Sequence, residues 1–200
     1  MFGVVWIGVE RLKAVSGIKE RILKESVGLF SEKGYHGASM RDIAAAAGCS
    51  LPMLYYYYNN KDELFYAVAY SEFVLLTERL NHEIELSGDI QEIYIQALKQ
   101  RKALSSYDRA VYKLSLKVWM GFDGDTKARR DLIEWENGRV ERTRRILARH
   151  IADPRKLDVS ASLMTRVLEN MMEKILLMDE DIPDDAIRRE IECLMALLNQ

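Results

Sequence analysis

The sequence predicts an all-α protein, and three observations lead to that class. Apolar side chains recur at the 3.6-residue spacing of helices, and no stretch alternates polar and apolar residues as a half-buried strand does. Glycine and proline are sparse, with 11 and 3 among 200 residues. Capping residues stand before several of the periodic stretches. We therefore expect about nine helices, divided between a small N-terminal head and a larger body.

The first helix of the head is predicted to begin at Gly17 or Ile18 and to end at Lys33, because its apolar residues form one stripe. Residues 1–16 before it are interpreted as an N-terminal extension, either disordered or packed. Their apolar run at residues 2–9 is too short to cross a bilayer, which needs about 20 residues. It also lacks the basic start and the cleavage site of a signal peptide.

Residues 39–61, which read SMRDIAAAAGCSLPMLYYYYNNK, contain two short helices joined by a tight turn. Ser39 followed by Asp42 resembles a capping box, which places a helix start at this point. The helix is predicted over residues 40–47. Gly48 suits the position just beyond its end, where the backbone turns sharply.

The second short helix is predicted over residues 51–58, with Ser50 as its cap. Two short helices around a glycine-containing turn are typical of a helix-turn-helix. The second helix carries four consecutive tyrosines, which cover more than half of a helical turn, so they cannot all be buried. Hydroxyls that face outward can bond phosphates or base edges. The pair therefore predicts a DNA-binding head.

The rest of the chain reads as helices separated by short breaks. The first of them is long enough to join the head to the body mechanically. We place the head at residues 17–65 and the helical body at residues 66–200. The remaining helices are predicted at residues 61–85, 90–105, 108–120, 126–151, 158–178 and 183–199.

Charge is distributed unevenly, although the net charge is only −2. Residues 11–61 hold eight Lys/Arg and four Asp/Glu, a net charge of +4. Residues 62–200 hold 21 Lys/Arg and 26 Asp/Glu, a net charge of −5. A positive segment on an acidic body is the asymmetry expected of a DNA-reading head on a separate body.

Metal binding and catalysis have little support in the sequence. The two cysteines, Cys49 and Cys193, are far apart and form neither a disulfide framework nor a metal-binding pair. The three histidines are scattered, and no nucleophile elbow, phosphate loop or carboxylate pair is visible. We expect a cytoplasmic protein that is not an enzyme and that uses no cofactor or metal ion.

The head resembles the TetR family of transcriptional regulators over about residues 17–65. The pattern LYYYYNNKDEL after a GCS turn is far more specific than a bare helix-turn-helix. The resemblance implies a body that binds a small effector and forms a homodimer, and a repressor rather than an activator. The matching residues are Ile22, Leu23, Phe30, Gly34, Tyr35, Ser39, Met40, Ile43, Ala44, Ala47, Gly48, Ser50, Leu54, Tyr55, Tyr57, Tyr58, Lys61 and Leu64.

The resemblance also implies which residues meet a double-stranded DNA operator. The second helix of the motif would enter the major groove, with Tyr55 and Tyr56 at base edges or phosphates. Ser39, Tyr57 and Lys61 would hold phosphates, and Arg41 would reach a base, while Leu54 and Tyr58 would be core. The full set expected at the DNA is Ser39, Arg41, Ser50, Leu51, Pro52, Met53, Tyr55, Tyr56, Tyr57 and Lys61.

Three positions depart from the family pattern. Leu51, Pro52 and Met53 stand where Lys, Gly and Thr are common, which removes one charge and one hydroxyl from the DNA face. This departure keeps an alternative open, in which the chain is a protein-interaction module or coactivator that does not act through operator DNA. An enzyme is a third and weaker alternative.

An effector pocket is predicted in the body from aromatic and methionine side chains, which can line an adaptable apolar site. The alternative for each single residue is ordinary core packing. Since few polar groups converge there, the effector is expected to be small and mostly apolar. Arg142 and its basic neighbours are interpreted as a solvated helix face. The predicted pocket residues are Tyr112, Leu116, Trp119, Met164, Leu168, Met171 and Met172.

The last helix carries an apolar face that is either core or half of a dimer interface between two copies. A two-fold dimer would require a near-palindromic operator. The residues of this face are Ile187, Ile191, Leu194, Met195 and Leu198.

Overall fold

The computed structural model of this protein describes residues 3–82 and 89–198, with side chains from residue 17 onward except at 82, 90 and 198. These residues form nine helices and no strand, which confirms the predicted all-α class. The helices are α1 (Gly3–Gly37), α2 (Met40–Ala46), α3 (Leu51–Tyr57), α4 (Lys61–Tyr66, Ala67–Ser71 and Glu72–His82 in succession), α5 (Ile90–Lys102), α6 (Ser106–Met120), α7 (Lys127–Leu147), α8 (Pro154–Leu176) and α9 (Asp184–Leu198).

Helix α1 differs from its prediction at both ends. It begins at Gly3 rather than at Gly17, so the predicted extension is largely helical. Gly34 interrupts the helix as expected, because it adopts φ 68° and ψ 175°, which L side chains rarely adopt. The chain then adds one further turn, which ends at Gly37.

The caps that define the head are formed by the predicted residues. The Asp42 N–H donates to Ser39 Oγ at 3.1 Å, and the Met53 N–H donates to Ser50 Oγ at 3.3 Å. Gly48 has φ 62° and lies just after α2, in the conformation that suits a helix end. These local bonds fix where α2 and α3 begin, and hence which residues α3 presents.

Helix α4 contains a π-helical turn at Ala67–Ser71, although the sequence predicts an unbroken α-helix. A π-turn shifts the backbone bonding pattern by one residue, so carbonyls there need other donors. The Ser115 hydroxyl lies 2.8 Å from the Ala69 carbonyl oxygen and is buried with it. The predicted end of this helix, at residue 85, lies outside the described residues.

The chain divides into two compact units, and α4, α6 and α7 each contribute residues to both. The first unit comprises residues up to Phe73 together with Ala110–Arg130, so it exceeds the head placed at residues 17–65. The second comprises Val74–Arg109 and the chain from Asp131 onward. None of the helices in the described parts of the chain is long and apolar enough to span a bilayer.

Each unit has its own apolar core. In the first, the rings of Phe30 and Phe65 meet edge to face, with centroids 4.9 Å apart, and Leu54 is fully buried as well. In the second, α9 packs against α5 and α8, and α5 packs against α8. Helix α8 begins at Pro154, where a break was expected, because the Asp153 carboxylate caps it.

Candidate functional site

The α3 helix turns its tyrosines in opposite directions. Leu54 and Tyr58 are buried, with exposures of 0% and 6%, as the sequence predicts. Tyr56 is 79% exposed, and Tyr55 is also exposed. Residues two apart on a helix diverge by about 200°, so burial of Leu54 and Tyr58 directs Tyr56 outward. The outer surface of α3 is therefore aromatic and open to a partner.

The start of α3 carries the three residues that depart from the family pattern. Pro52 and Met53 are exposed, and Leu51 is half-buried. Pro52 lies in the first turn, where its missing N–H removes no intrahelical bond. The exposed surface of α3 is consequently uncharged, and it can contact DNA through hydroxyls, rings and methyl groups.

Ser39 and Arg41 lie exposed at the start of α2. The Ser39 hydroxyl donates to Asp42 Oδ2 at 2.8 Å while it accepts the Asp42 N–H. The first of these bonds is the main reason why the pKa of Asp42 lies below its usual value. The hydroxyl of Ser39 is therefore engaged within the protein, and a phosphate would have to share it.

Lys61 lies at the start of α4, one turn beyond α3, with its Nζ 4.5 Å from the centre of the Tyr35 ring. The Tyr35 hydroxyl donates to Asp62, and this bond, followed by burial, raises the pKa of Tyr35 to about 12. Tyr35 thus stays neutral, and the face of its ring attracts the ammonium group of Lys61. The sequence matches Tyr35 to the family but gives no sign of this contact.

The kink of α1 is held by a residue that sequence reasoning missed. The Tyr35 N–H donates to Asp123 Oδ1 at 2.6 Å, and Asp123 is almost fully buried. A Cβ atom on Gly34 would lie 2.9 Å from the same carboxylate oxygen, so only glycine leaves room for it. Asp123 therefore fixes the end of α1 to the α6–α7 loop within the first unit.

The second unit encloses a cavity of about 320 Å³ between α4, α5, α7 and α8. Of the predicted pocket residues, Leu168 and Met172 line it. Its complete lining is Thr77, Asn81, Ile93, Tyr94, Ala97, Leu98, Arg101, Trp135, Arg139, Arg142, Thr143, Arg145, Ile146, Thr165, Leu168 and Met172.

The other predicted pocket residues lie elsewhere, which corrects the expected set. Tyr112, Leu116 and Trp119 belong to the first unit and do not line the cavity. Tyr112 is buried against Phe73, with ring centroids 5.3 Å apart. Met164 and Met171 are fully buried core residues and do not line it either. Helical spacing alone does not identify what each face packs against.

The lining also corrects the expectation that few polar groups converge. Arg101, Arg139, Arg142 and Arg145 all reach the cavity, so this face of α7 is not simply solvated. Arg139 is paired, since its guanidinium lies 2.7 Å from Glu136 and 3.6 Å from Glu169. Burial raises the pKa of the Glu136 carboxyl, and Arg139 opposes that shift.

The last helix is predicted to carry a face that is either core or dimer interface, and in the single chain most of that face is core. Ile187, Ile191 and Met195 are buried within the chain itself. Leu194 is half-buried, and the side chain of Leu198 lies outside the described residues. The apolar side chains that α8 and α9 expose are instead Val159, Leu163 and Leu197.

Comparisons with known proteins find similarity to one family in the head. Residues 22–68 match the family model for bacterial regulatory proteins of the tetR family. The chain is 40% identical over 48 residues to the biofilm operon icaADBC HTH-type negative transcriptional regulator IcaR of Staphylococcus epidermidis, a match over 24% of this chain and 26% of that protein. It is 39% identical over 66 residues to the HTH-type transcriptional regulator RutR of Escherichia coli K12, a match over 33% and 31%.

These matches span only about a quarter to a third of the curated relatives, at 26% and 31% of their lengths. The fold is similar over more of the chain. A TetR-like transcriptional regulator from Rhodococcus sp. RHA1 matches with a TM-score of 0.70 and 24% identity, covering 88% of this chain and 92% of that one. At that identity the likeness concerns the fold alone.

Proposed function

Residues 22–68 match the tetR family model, and from that match we propose that this chain is a ligand-responsive transcriptional regulator with a DNA-binding head. It acts as a dimeric repressor at a near-palindromic operator. The observation that carries this proposal is the outer surface of α3, where Tyr56 and Tyr55 are exposed while Leu54 and Tyr58 anchor the helix. Exposed aromatic side chains on a rigid, capped helix suit a surface that waits for a partner.

The head reads DNA by entering the major groove with α3. Tyr55 and Tyr56 meet base edges or thymine methyl groups there, and Arg41 reaches a guanine from the start of α2. Lys61, Ser39 and Tyr57 hold phosphates, which fix the register of the protein on the duplex without reading its sequence. Ser50 through Met53 complete the surface that faces the groove.

A second copy of the chain covers the exposed apolar residues of α8 and α9. Val159 and Leu163 lie one turn apart on α8, and Leu197 lies near the end of α9. Such a pair of helices from each copy suits a two-fold four-helix contact. The two α3 helices then address half-sites about 34–36 Å apart, or a multiple of that distance.

The cavity of the second unit is the effector site in this proposal. Its volume of about 320 Å³ falls in the range of small-molecule sites, which is roughly 300–1,000 Å³. Operator DNA and effector each favour a different arrangement of the dimer, so the effector shifts the population away from the DNA-binding form. The name of IcaR describes a negative regulator, which supports repression. The protein acts in the cytoplasm, where bacterial DNA is accessible.

Selection of bound DNA from a random pool tests the proposal. We expect enrichment of a near-palindrome, and light scattering should give twice the chain mass of 23.1 kDa for the free protein and that mass plus the mass of the duplex for the complex. A matched selection with Leu54→Ala, which removes the anchor of α3, should enrich nothing. If the wild-type protein enriches no sequence and remains at 23.1 kDa, the interaction-module alternative becomes the better account.

A further inference from the structure

The cavity of the second unit combines an apolar lining with cationic and hydroxyl groups. Its apolar walls come from α5, α7 and α8, and they would accept the body of an apolar molecule. Four arginines and several hydroxyls also line it, so the cavity is polar as well as apolar. The apolar lining residues are Ile93, Ala97, Leu98, Ile146, Leu168 and Met172.

The lining includes one buried tyrosine hydroxyl, that of Tyr94. Tyr94 is only 4% exposed, and Thr143 lies beside it. Within the described residues, its hydroxyl nevertheless forms no hydrogen bond of ordinary geometry. Burial raises the pKa of Tyr94, which keeps the phenol neutral and able to donate. A buried donor without an acceptor is costly, so a ligand that accepts this hydrogen bond gains from it.

Arg142 is the lining arginine that packs on an aromatic ring. Its guanidinium lies 4.3 Å from the centre of the Trp135 ring and donates to the Trp135 carbonyl at 3.0 Å. Unlike Arg139, which two carboxylates hold, Arg142 forms no ion pair in the part of the chain that the structure describes. Burial, and then the charge of Arg139, lower the pKa of Arg142. An anion at this position would relieve both effects.

Gly138 makes room for that guanidinium. A Cβ atom at position 138 would lie 2.8 Å from Nη1 of Arg142, so any side chain there would displace it. A glycine inside a helix is less favourable than alanine, because it loses more backbone freedom on folding. Gly138 therefore lowers the stability of the helix and allows Arg142 to lie against Trp135.

We propose that the cavity takes an organic anion, with an apolar body against Leu168 and Met172 and a carboxylate held by Arg142 and Tyr94. This inference rests on the proposed function, since it assigns a chemical class to the effector. Arg142 supplies two parallel donors to a carboxylate, and Tyr94 supplies a third. A neutral analogue leaves the arginine charge without a counter-ion, and a cation is repelled by it.

Calorimetric titration of the full chain tests the inference with two matched pairs of probes. Octanoate and octanamide share an extended apolar body, and 1-naphthoate and 1-naphthamide share a planar one. We expect at least one acid to bind, and to bind about tenfold or more tightly than its amide, because hydrogen bonds to charged groups are worth more than neutral ones. The pair that binds also tells whether the apolar body is extended or planar.

Variants test whether the charge of Arg142, rather than its packing, determines the preference for acid over amide. Arg142→Gln should bring the affinities for acid and amide together, whereas Arg149→Gln, at an exposed position just beyond α7, should leave their ratio unchanged. Tyr94→Phe should weaken acid binding by a smaller factor. If thermal unfolding shows that Arg142→Gln is not folded, Arg142→Lys keeps a charge but loses the paired donors, and it should bind the acid less tightly than wild type.

Two results would overturn the inference. In the first, acid and amide bind wild type equally, which means that the cavity recognises only apolar shape. In the second, neither acid binds at millimolar concentration. Selection of DNA from a random pool runs independently of these titrations. If the protein selects an operator but no acid binds, the anion inference fails alone, and if no operator is selected, the proposed function fails.

Discussion

The outer surface of α3 exposes large aromatic side chains, whereas the cavity of the second unit buries polar ones. Both are the opposite of the usual distribution of side chains in a protein. On α3, large aromatic side chains lie in solvent, with Tyr56 at 79% exposure. In the cavity, a tyrosine is buried without a hydrogen-bond partner in the described residues, and Arg142 is half-buried without a carboxylate. Each departure would be relieved by a partner that the isolated chain lacks.

The two regions would meet a negatively charged partner in different media, the head in water and the cavity in a site of low dielectric constant. The head would face a polyanion across water, where salt screens the attraction and several weak contacts act together. The cavity would face a single anion in a low-dielectric environment, where one guanidinium has a large effect. In this proposal, exposed rings and dispersed cations would meet one anion, and a half-buried arginine would meet the other.

The two regions should differ most in how much stability is lost when one apolar side chain in each is truncated to alanine. Leu54→Ala removes a fully buried side chain, and it should lower the free energy of unfolding by about 2–5 kcal/mol. Leu168→Ala removes a half-buried side chain beside an existing cavity, so it should cost less than half of that. Chemical denaturation measures both, and equal losses would mean that the two positions are packed alike.

Tyr56→Ala should separate reading from stability in the head. The side chain is 79% exposed, so unfolding should hardly change, while binding to the selected operator should weaken by about 1–3 kcal/mol. Binding to random DNA should be spared. Fluorescence anisotropy with both DNAs makes the measurement, and Tyr56→Phe, which removes only the hydroxyl, shows whether ring or hydroxyl carries the effect.

Lys61→Ala should have a smaller effect that does not depend on sequence. Loss of one phosphate contact weakens all DNAs nearly alike and flattens the plot of log affinity against log salt by about one unit of slope. Lys156→Ala, in the second unit, provides the matched control and should leave the slope as it is. An unchanged slope for Lys61→Ala would mean that this lysine contacts Tyr35 but no DNA phosphate.

Gly138→Ala should raise stability slightly and lower the affinity for the ligand. Alanine favours the helix interior by roughly 0.8–1 kcal/mol over glycine, so thermal unfolding should shift upward. The added Cβ displaces the Arg142 guanidinium, so affinity for the acid probe should fall. A variant that is more stable and binds the acid as tightly as wild type would contradict the assigned role of Gly138.

The head could be predicted from sequence because its signals are local. Ser39 and Ser50 each cap a helix only three residues away, and the order of Leu54, Tyr56 and Tyr58 along α3 decides which of them is buried. The π-turn in α4 and the bond from Tyr35 to Asp123 escaped prediction. Both depend on residues that are far apart in the chain, as the separation of 88 positions between Tyr35 and Asp123 shows.

The cavity and the dimer face were predicted less well, for the same physical reason. Periodicity identifies an apolar face, but it cannot say whether that face meets another helix, a cavity or a second chain. Ile187 and Ile191 lie on the expected face of α9 and are buried in the core. Arg142 resembles a solvated arginine in sequence, and only the fold places it on Trp135 in the cavity that Tyr94 also lines.

Coupling between the two regions tests the account most directly. Operator affinity should be measured by fluorescence anisotropy with and without a saturating acid probe, for wild type and for Arg142→Gln. We predict that the acid weakens operator binding by wild type about 5–150-fold, that the matching amide at the same concentration does so far less, and that Arg142→Gln does not respond. Operator affinity that stays the same with bound acid in wild type would contradict the account, because the cavity would then have no influence on the head.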